Sequence, residues 1–135
     1  RAAELNPNIN FHQLNIAHDY TQEYFLRGLG IDDPQVHDRI KEAQKYINSR
    51  VPNFRTYTIG GEAENIIGGY YDGFLNHSLQ NNGKPYVVDR LYTYESEGMA
   101  VLDWINAAIA HEDVKNVTCQ NCDTPDYTVH FDDED

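Results

Sequence analysis

Two cysteines separated by two residues, Cys119-Gln120-Asn121-Cys122, are the densest piece of potential chemistry in the chain. Three readings compete for them. As a disulfide, Cys119 and Cys122 would brace the loop between two short strands, which an oxidising compartment permits. As half of a metal knuckle, they would be joined by His111, eight residues before Cys119, and His130, eight residues after Cys122. Two thiolates and two imidazoles make a tetrahedral zinc set. That spacing matches no usual zinc signature, in which the histidine pair sits together on one helix. As a redox-exchange pair, the first thiol would need activation at a helix N-terminus. Asp123 opposes thiolate formation, and Pro125 restricts the helix that would have to follow. The disulfide is the expectation, the metal quartet His111, Cys119, Cys122 and His130 its alternative, and no cofactor is expected.

The other histidines are His12, His18, His37 and His77, and none belongs to a His-Glu-x-x-His or similar short motif. His18-Asp19 with Glu23 would share one side of a first helix, where a polar, solvated face is the ordinary reading. His77 with Tyr70 and Asp72 would line a pocket only if a third helix turns them inward. Ser49, Ser78 and Ser96 lie in no nucleophile motif. Glu95 and Glu97 form a carboxylate pair fit for acid–base work in a cleft, yet acids before a helix are also what its dipole favours. Gly60-Gly61 and Gly68-Gly69 lack the Gly-Lys-Ser/Thr of a phosphate loop. Asp132 to Asp135 carry enough carboxylate to hold a divalent cation loosely, without the glycine turn of an EF-hand. No motif marks an enzyme.

Charge narrows the partners. The net charge is −12, which disfavours nucleic acid and anionic membrane. Residues 119–135 carry six acids and no Lys or Arg, and the remainder holds sixteen acids against ten bases. The acidic terminus suits a basic partner, including another copy of the chain around Arg39, Lys41 and Lys45. Ten tyrosines argue for an ordered core and supply a residue favoured at interfaces. Two sequons, at Asn76 and Asn116, make glycosylation a candidate, although thirteen asparagines produce such triplets by chance. Arg1 rather than Met stands first, the expectation for a chain that has been processed, trimmed or cut from a longer one. No apolar run reaches the roughly 18 residues of a membrane span.

The elements that must position these groups follow from hydrophobic spacing. One domain over 1–135 is expected, with an N-terminal arm at 1–10 and an acidic tail at 132–135. Leu14, Ala17, Thr21, Tyr24 and Phe25 predict a first helix from Phe11 to Arg27. Asp33 as N-cap and Pro34 at the first position predict a second, with Val36, Ile40, Ala43 and Ile47 as its inner stripe and Pro52 as its stop. Phe54 to Ile59 reads as a strand ended by Gly60-Gly61, and a third helix is expected over Glu62 to Leu79. Tyr86 to Tyr92, Val114 to Thr118 and Tyr127 to Phe131 read as further strands. Ser96 would cap a fourth helix, Glu97 to His111, apolar nearly all round and therefore central.

The fold class expected is α+β and helix-rich: about four helices, with a central C-terminal helix packed beside a small, mostly antiparallel sheet. The leading functional expectation is an acidic, extracytoplasmic interaction or structural protein, with self-association as a candidate property. The alternatives are a small hydrolase or lyase whose site spacing does not reveal, and an acidic inhibitor or immunity protein that binds a basic target.

Overall fold

A computed structural model of the chain describes residues 1–63, 91–92 and 94–123. Their architecture is mixed α+β, with four helices and two small strand pairs among the described residues. The helices are α1 (Ala2–Leu5), α2 (Tyr20–Gly28), α3 (Val36–Asn48) and α4 (Val101–Ile109). The strands are β1 (Phe11–Asp19), β2 (Phe54–Ala63), β3 (Glu95–Ser96) and β4 (Met99–Ala100).

The expected first helix divides in two. Phe11 to Asp19 is a strand, and only Tyr20 to Gly28 is helical. β1 pairs in parallel with β2, from Phe11 opposite Phe54 to Asp19 opposite Ala63. The long pair is therefore parallel, and among the described residues antiparallel pairing is confined to the short β3–β4. A parallel pair needs a crossover, which α2 and α3 provide. Beyond β2, Tyr57 makes a parallel bridge to Val117, and the ladder is closed by Thr58 N–H to the Val117 carbonyl and Val117 N–H to the Thr56 carbonyl, both 2.9 Å. The Val114–Thr118 segment thus runs alongside β2 as a third extended stretch.

Side chains alternate across a strand, and β2 uses its two faces differently. Tyr57 and Ile59 enter the core with Ala17, Tyr94, Val101, Trp104, Val114, Val117 and Cys119. Thr56 and Thr58 are also buried but face α3, where Gln44 Nε2 donates to Thr58 Oγ1 at 3.1 Å. Polar groups under α3 therefore satisfy each other, while the apolar core lies on the α4 side.

Gly60-Gly61 does not end the strand. Ile16 pairs with Ile59 but His18 with Glu62, so Ala17 faces two residues of β2. This is a bulge, and Gly61 takes the φ of 76° that only glycine adopts without strain. At this kink Gly60 N–H donates to Tyr94 Oη at 2.9 Å and Gly61 N–H to the Cys122 carbonyl at 3.0 Å.

α3 starts later than its sequence signals suggest. Gln35 is the N-cap, at φ 45°, and Asp33 instead accepts from Gln35 Nε2. Val36 and Ile40 are buried as expected, but Gln44 replaces Ala43 on the inner stripe. The side-chain cap falls elsewhere: Asp19 Oδ1 accepts from the N–H groups of Thr21 and Gln22 at the head of α2. Tyr24 and Phe25, assigned to an inner face, are 66% and 65% exposed.

Ser96 does not cap α4. It lies in β3, and its hydroxyl donates to the Thr118 carbonyl at 2.8 Å. Glu97 and Gly98, at φ 51° and 72°, make the two-residue turn to β4, so Met99 and Ala100 are strand and α4 begins at Val101. Val101 and Trp104 are buried and Ile105, Ala107 and Ala108 pack against the core, whereas Leu102 and Ile109 are exposed. The helix is central on one face only. The third helix lies outside the described residues apart from Glu62 and Ala63, which are strand. The strand expected over Tyr127 to Phe131 and the acidic tail also lie outside them. Of the Tyr86 to Tyr92 segment only Leu91 and Tyr92 are described, and both are helical. Among the described residues no helix is long and apolar enough to cross a membrane.

Candidate functional site

The carboxyl ends of parallel strands are where α/β folds open a crevice, because the chain departs there toward both faces. In this chain that end holds His18, the penultimate residue of β1. The first turn of α3 brings His37, and the loop after Val117 brings Asp123. His18 Nε2 lies 3.2 Å from Asp123 Oδ1, and the His18 and His37 ring centroids are 5.4 Å apart. The three groups border a cleft of ≈ 380 Å³, with Glu23, Asp33 and Asp38 also on its wall.

Each group is positioned by local structure. The bulge at Gly60–Gly61 shifts the register under His18, and Asp19 is pinned as the cap of α2. Asp123 is placed by the neighbouring Cys122, whose carbonyl is held by Gly61. His37 follows from Gln35, whose left-handed backbone turns the chain into α3. Its Nδ1 is buried and makes no hydrogen bond within the described structure. Burial, then the charges of Lys41 and His18, push the His37 imidazole below the ordinary histidine pKa, against the opposing pull of Asp38 and Asp123.

Among the described residues the cleft wall carries carboxylates and no Lys or Arg. Glu23 is partly neutralised by Arg27, at 2.8 Å, and Asp38 by Lys41, at 3.7 Å. The local field still favours cationic or neutral ligands over anionic ones. In the tautomer protonated on Nε2, His18 donates to Asp123 and keeps Nδ1 as a proton acceptor. Asp123 is 86% exposed, so the pair orients a ring more than it stabilises the fold.

The cysteine loop lies next to this cleft. Cys119 and Cys122 face each other in disulfide geometry, with Cα atoms 5.1 Å apart. Cys119 is buried in the core and Cys122 half-buried. Of the alternative quartet, His111 stands exposed beyond α4 at φ 61°, and His130 lies outside the described residues. Among the described residues no three His, Cys, Asp or Glu side chains are grouped to hold a metal.

The remaining candidates fall as follows. Glu95 and Glu97 are exposed in the β3–β4 hairpin, away from the cleft wall. Asn116 is exposed, and its Oδ1 accepts the Thr56 N–H at 2.9 Å, extending the ladder beside β2. Ser49 Oγ donates to the Tyr46 carbonyl. Tyr70, Asp72, Asn76, His77, Ser78 and Asp132 to Asp135 lie outside the described residues. His18 was singled out with Asp19 and Glu23, but as neighbours on a helix. Its true companions, His37 and Asp123, carry no sequence signal, because they come from separate elements joined only by the parallel pairing.

No protein-family model matches the chain, and neither a curated protein nor a solved structure matches it.

Proposed function

We propose that the cleft bordered by His18, His37 and Asp123 is the working site, and that it performs general acid–base chemistry as a small hydrolase or lyase. The observation that carries this reading is the His18–Asp123 contact at 3.2 Å, opening onto a cleft of ≈ 380 Å³ beside a second imidazole. A carboxylate that fixes one imidazole nitrogen leaves the other to take a proton from the substrate and, once charged, to return it to the leaving group, with the second imidazole beside it able to hold the substrate by a hydrogen bond. The acidic wall makes the substrate a neutral or cationic small molecule. Turnover of a panel of activated neutral, cationic and anionic esters and amides tests this. His18→Ala and Asp123→Asn should each lower turnover of the preferred member by about 100-fold or more, with anionic members poorest. Equal turnover by wild type and His18→Ala across the panel would overturn the reading.

A second reading, an interaction protein, is favoured by a different observation. Tyr24, Phe25 and Leu29 are 66%, 65% and 78% exposed on and just after α2, and the Tyr24 and Phe25 rings touch edge to face at 6.0 Å. Clustered aromatics on a helix surface suit a protein partner or a second copy. Sedimentation of wild type against Phe25→Asp tests it: association lost in the variant supports it, and a monomeric wild type at high concentration removes self-association. An oxidising, extracytoplasmic setting is part of both proposals, supported by the approach of Cys119 to Cys122.

A further inference from the structure

The loop that carries Asp123 begins at the cysteine pair, so whatever the sulfurs do is felt at the cleft. We propose that Cys119–Cys122 is a redox modification site, acted on by a dithiol reductant, whose oxidised form holds Asp123 against His18 and whose reduced form releases it. The inference rests on reading the His18 cleft as the working site, and adds its control.

Three observations support it. Cys119 is anchored: it is 5% exposed, belongs to the core cluster and follows directly from the Val117 ladder beside β2. Cys122 is half-buried, at the open side of the loop, with Gln120 and Asn121 exposed before it. The anchored cysteine therefore serves as the fixed post and Cys122 as the tethered end, and Asp123 is bonded to that end. Beyond the cysteine pair itself, the tethered end is held by the Gly61 N–H to the Cys122 carbonyl, at 3.0 Å, and by Asp123 to His18. Both are single hydrogen bonds, one of them to an 86% exposed side chain, so the covalent link is the strongest restraint among them.

The exchange balances simply. A thiolate of the reductant attacks Sγ of Cys122, the more accessible sulfur; the S–S bond breaks and Cys119 leaves as a thiolate that takes a proton. The second thiol of the reductant then attacks its own sulfur in the mixed disulfide. Cys122 leaves as a thiolate and is protonated in turn. Two electrons and two protons pass to the protein, and the reductant departs as its internal disulfide. Closure by an oxidant of the disulfide class reverses the sequence.

The experiment follows the histidine ring C–H resonances of the whole chain by NMR across pH, before and after dithiothreitol, with thiols counted in parallel. The expected result is no free thiol before and two after, with displaced His18 and His37 signals. The His37 titration should move to lower pH, because the charge of Asp123 favours its protonated form. Cys122→Ser should give the reduced pattern without reductant, and in Asp123→Asn reduction should leave the His37 titration in place. Unchanged ring signals once two thiols have appeared, an equal shift in Asp123→Asn, or free thiols in the oxidised preparation would each overturn the proposal. Turnover read on the same samples separates the two claims. Signals that move in a protein without turnover sink the catalytic reading and keep the switch. Turnover that ignores reduction keeps the catalytic reading and sinks the switch.

Discussion

The Trp104 indole stands edge-on to the Tyr57 ring, centroids 5.6 Å apart at 73°, and so joins α4 to the middle of β2. Its Nε1–H donates to the Lys115 carbonyl at 2.8 Å, which ties the same helix to the stretch that bridges β2. Tyr57 meets Tyr94 in the same way at 6.2 Å. Edge-to-face contacts of this kind add to area burial, because ring edges are positive and faces negative.

Trp104→Ala should therefore destabilise the chain by ~3–5 kcal/mol, since it empties a large buried site. Trp104→Phe keeps most of the packing but leaves the Lys115 carbonyl without its indole donor, and should cost ~1–3 kcal/mol. Urea unfolding followed by far-ultraviolet circular dichroism measures both. Trp104 is the sole tryptophan, so fluorescence would lose its probe.

Asp19 is 4% exposed and caps α2 through the N–H groups of Thr21 and Gln22, while its Oδ2 accepts from Gln22 Nε2 at 3.0 Å. Asp19→Ala should cost ~0.5–2 kcal/mol, and Asp19→Asn or Asp19→Ser should recover part of it. Amide exchange in α2 should accelerate with Asp19→Ala. An unchanged α2 would show that packing, not the cap, holds the helix.

Asn53 clasps the N-terminal arm. Its Nδ2 lies 3.2, 3.0 and 2.7 Å from the carbonyls of Ala3, Asn6 and Ile9. Asn53→Ala should release the arm, costing ~1–3 kcal/mol and opening residues 1–10 to proteolysis well before the rest. Equal cleavage rates for variant and wild type would mean that the pocket under Ala3, Phe11 and Phe54 holds the arm unaided.

Stability should fall as pH drops through the histidine range. Burial, then the charge of Arg55, depress the His12 pKa, and His37 is depressed as described above. A histidine whose folded pKa is lowered binds fewer protons folded than unfolded just below pH 6.5. Its stabilising contribution is thus full above the unfolded pKa and is lost as pH falls through the folded one. The slope of melting temperature between pH 7 and pH 5 should be shallower in a His12→Asn, His37→Asn double variant. An identical slope would place the pH dependence on other groups.

What sequence spacing conveyed was local. The parts it read correctly are the mixed α+β class, the helix around Ile40 and Ile47, the strand starting at Phe54, the extended Val114–Thr118 stretch and the buried Trp104. Each rests on a periodicity or a breaker within a few residues. Phe11 to Asp19 misled because Leu14 and Ala17 also fit a helical stripe with Thr21 and Tyr24. Its strand state depends on pairing with Phe54 and its successors, after two intervening helices. Asp33-Pro34 has the composition of a helix start, yet the left-handed Gln35 moves the start to Val36.

The cleft belongs entirely to the tertiary level. His18, His37 and Asp123 are far apart in the chain and meet because parallel strands place their carboxyl ends together, while a two-glycine bulge receives the cysteine loop beside them. Sequence alone decided which segments had a buried face and what kind of groups were available. Only the folded chain decided which groups became neighbours, because non-local hydrogen-bonded register, unlike helical periodicity, leaves no imprint on either strand taken by itself.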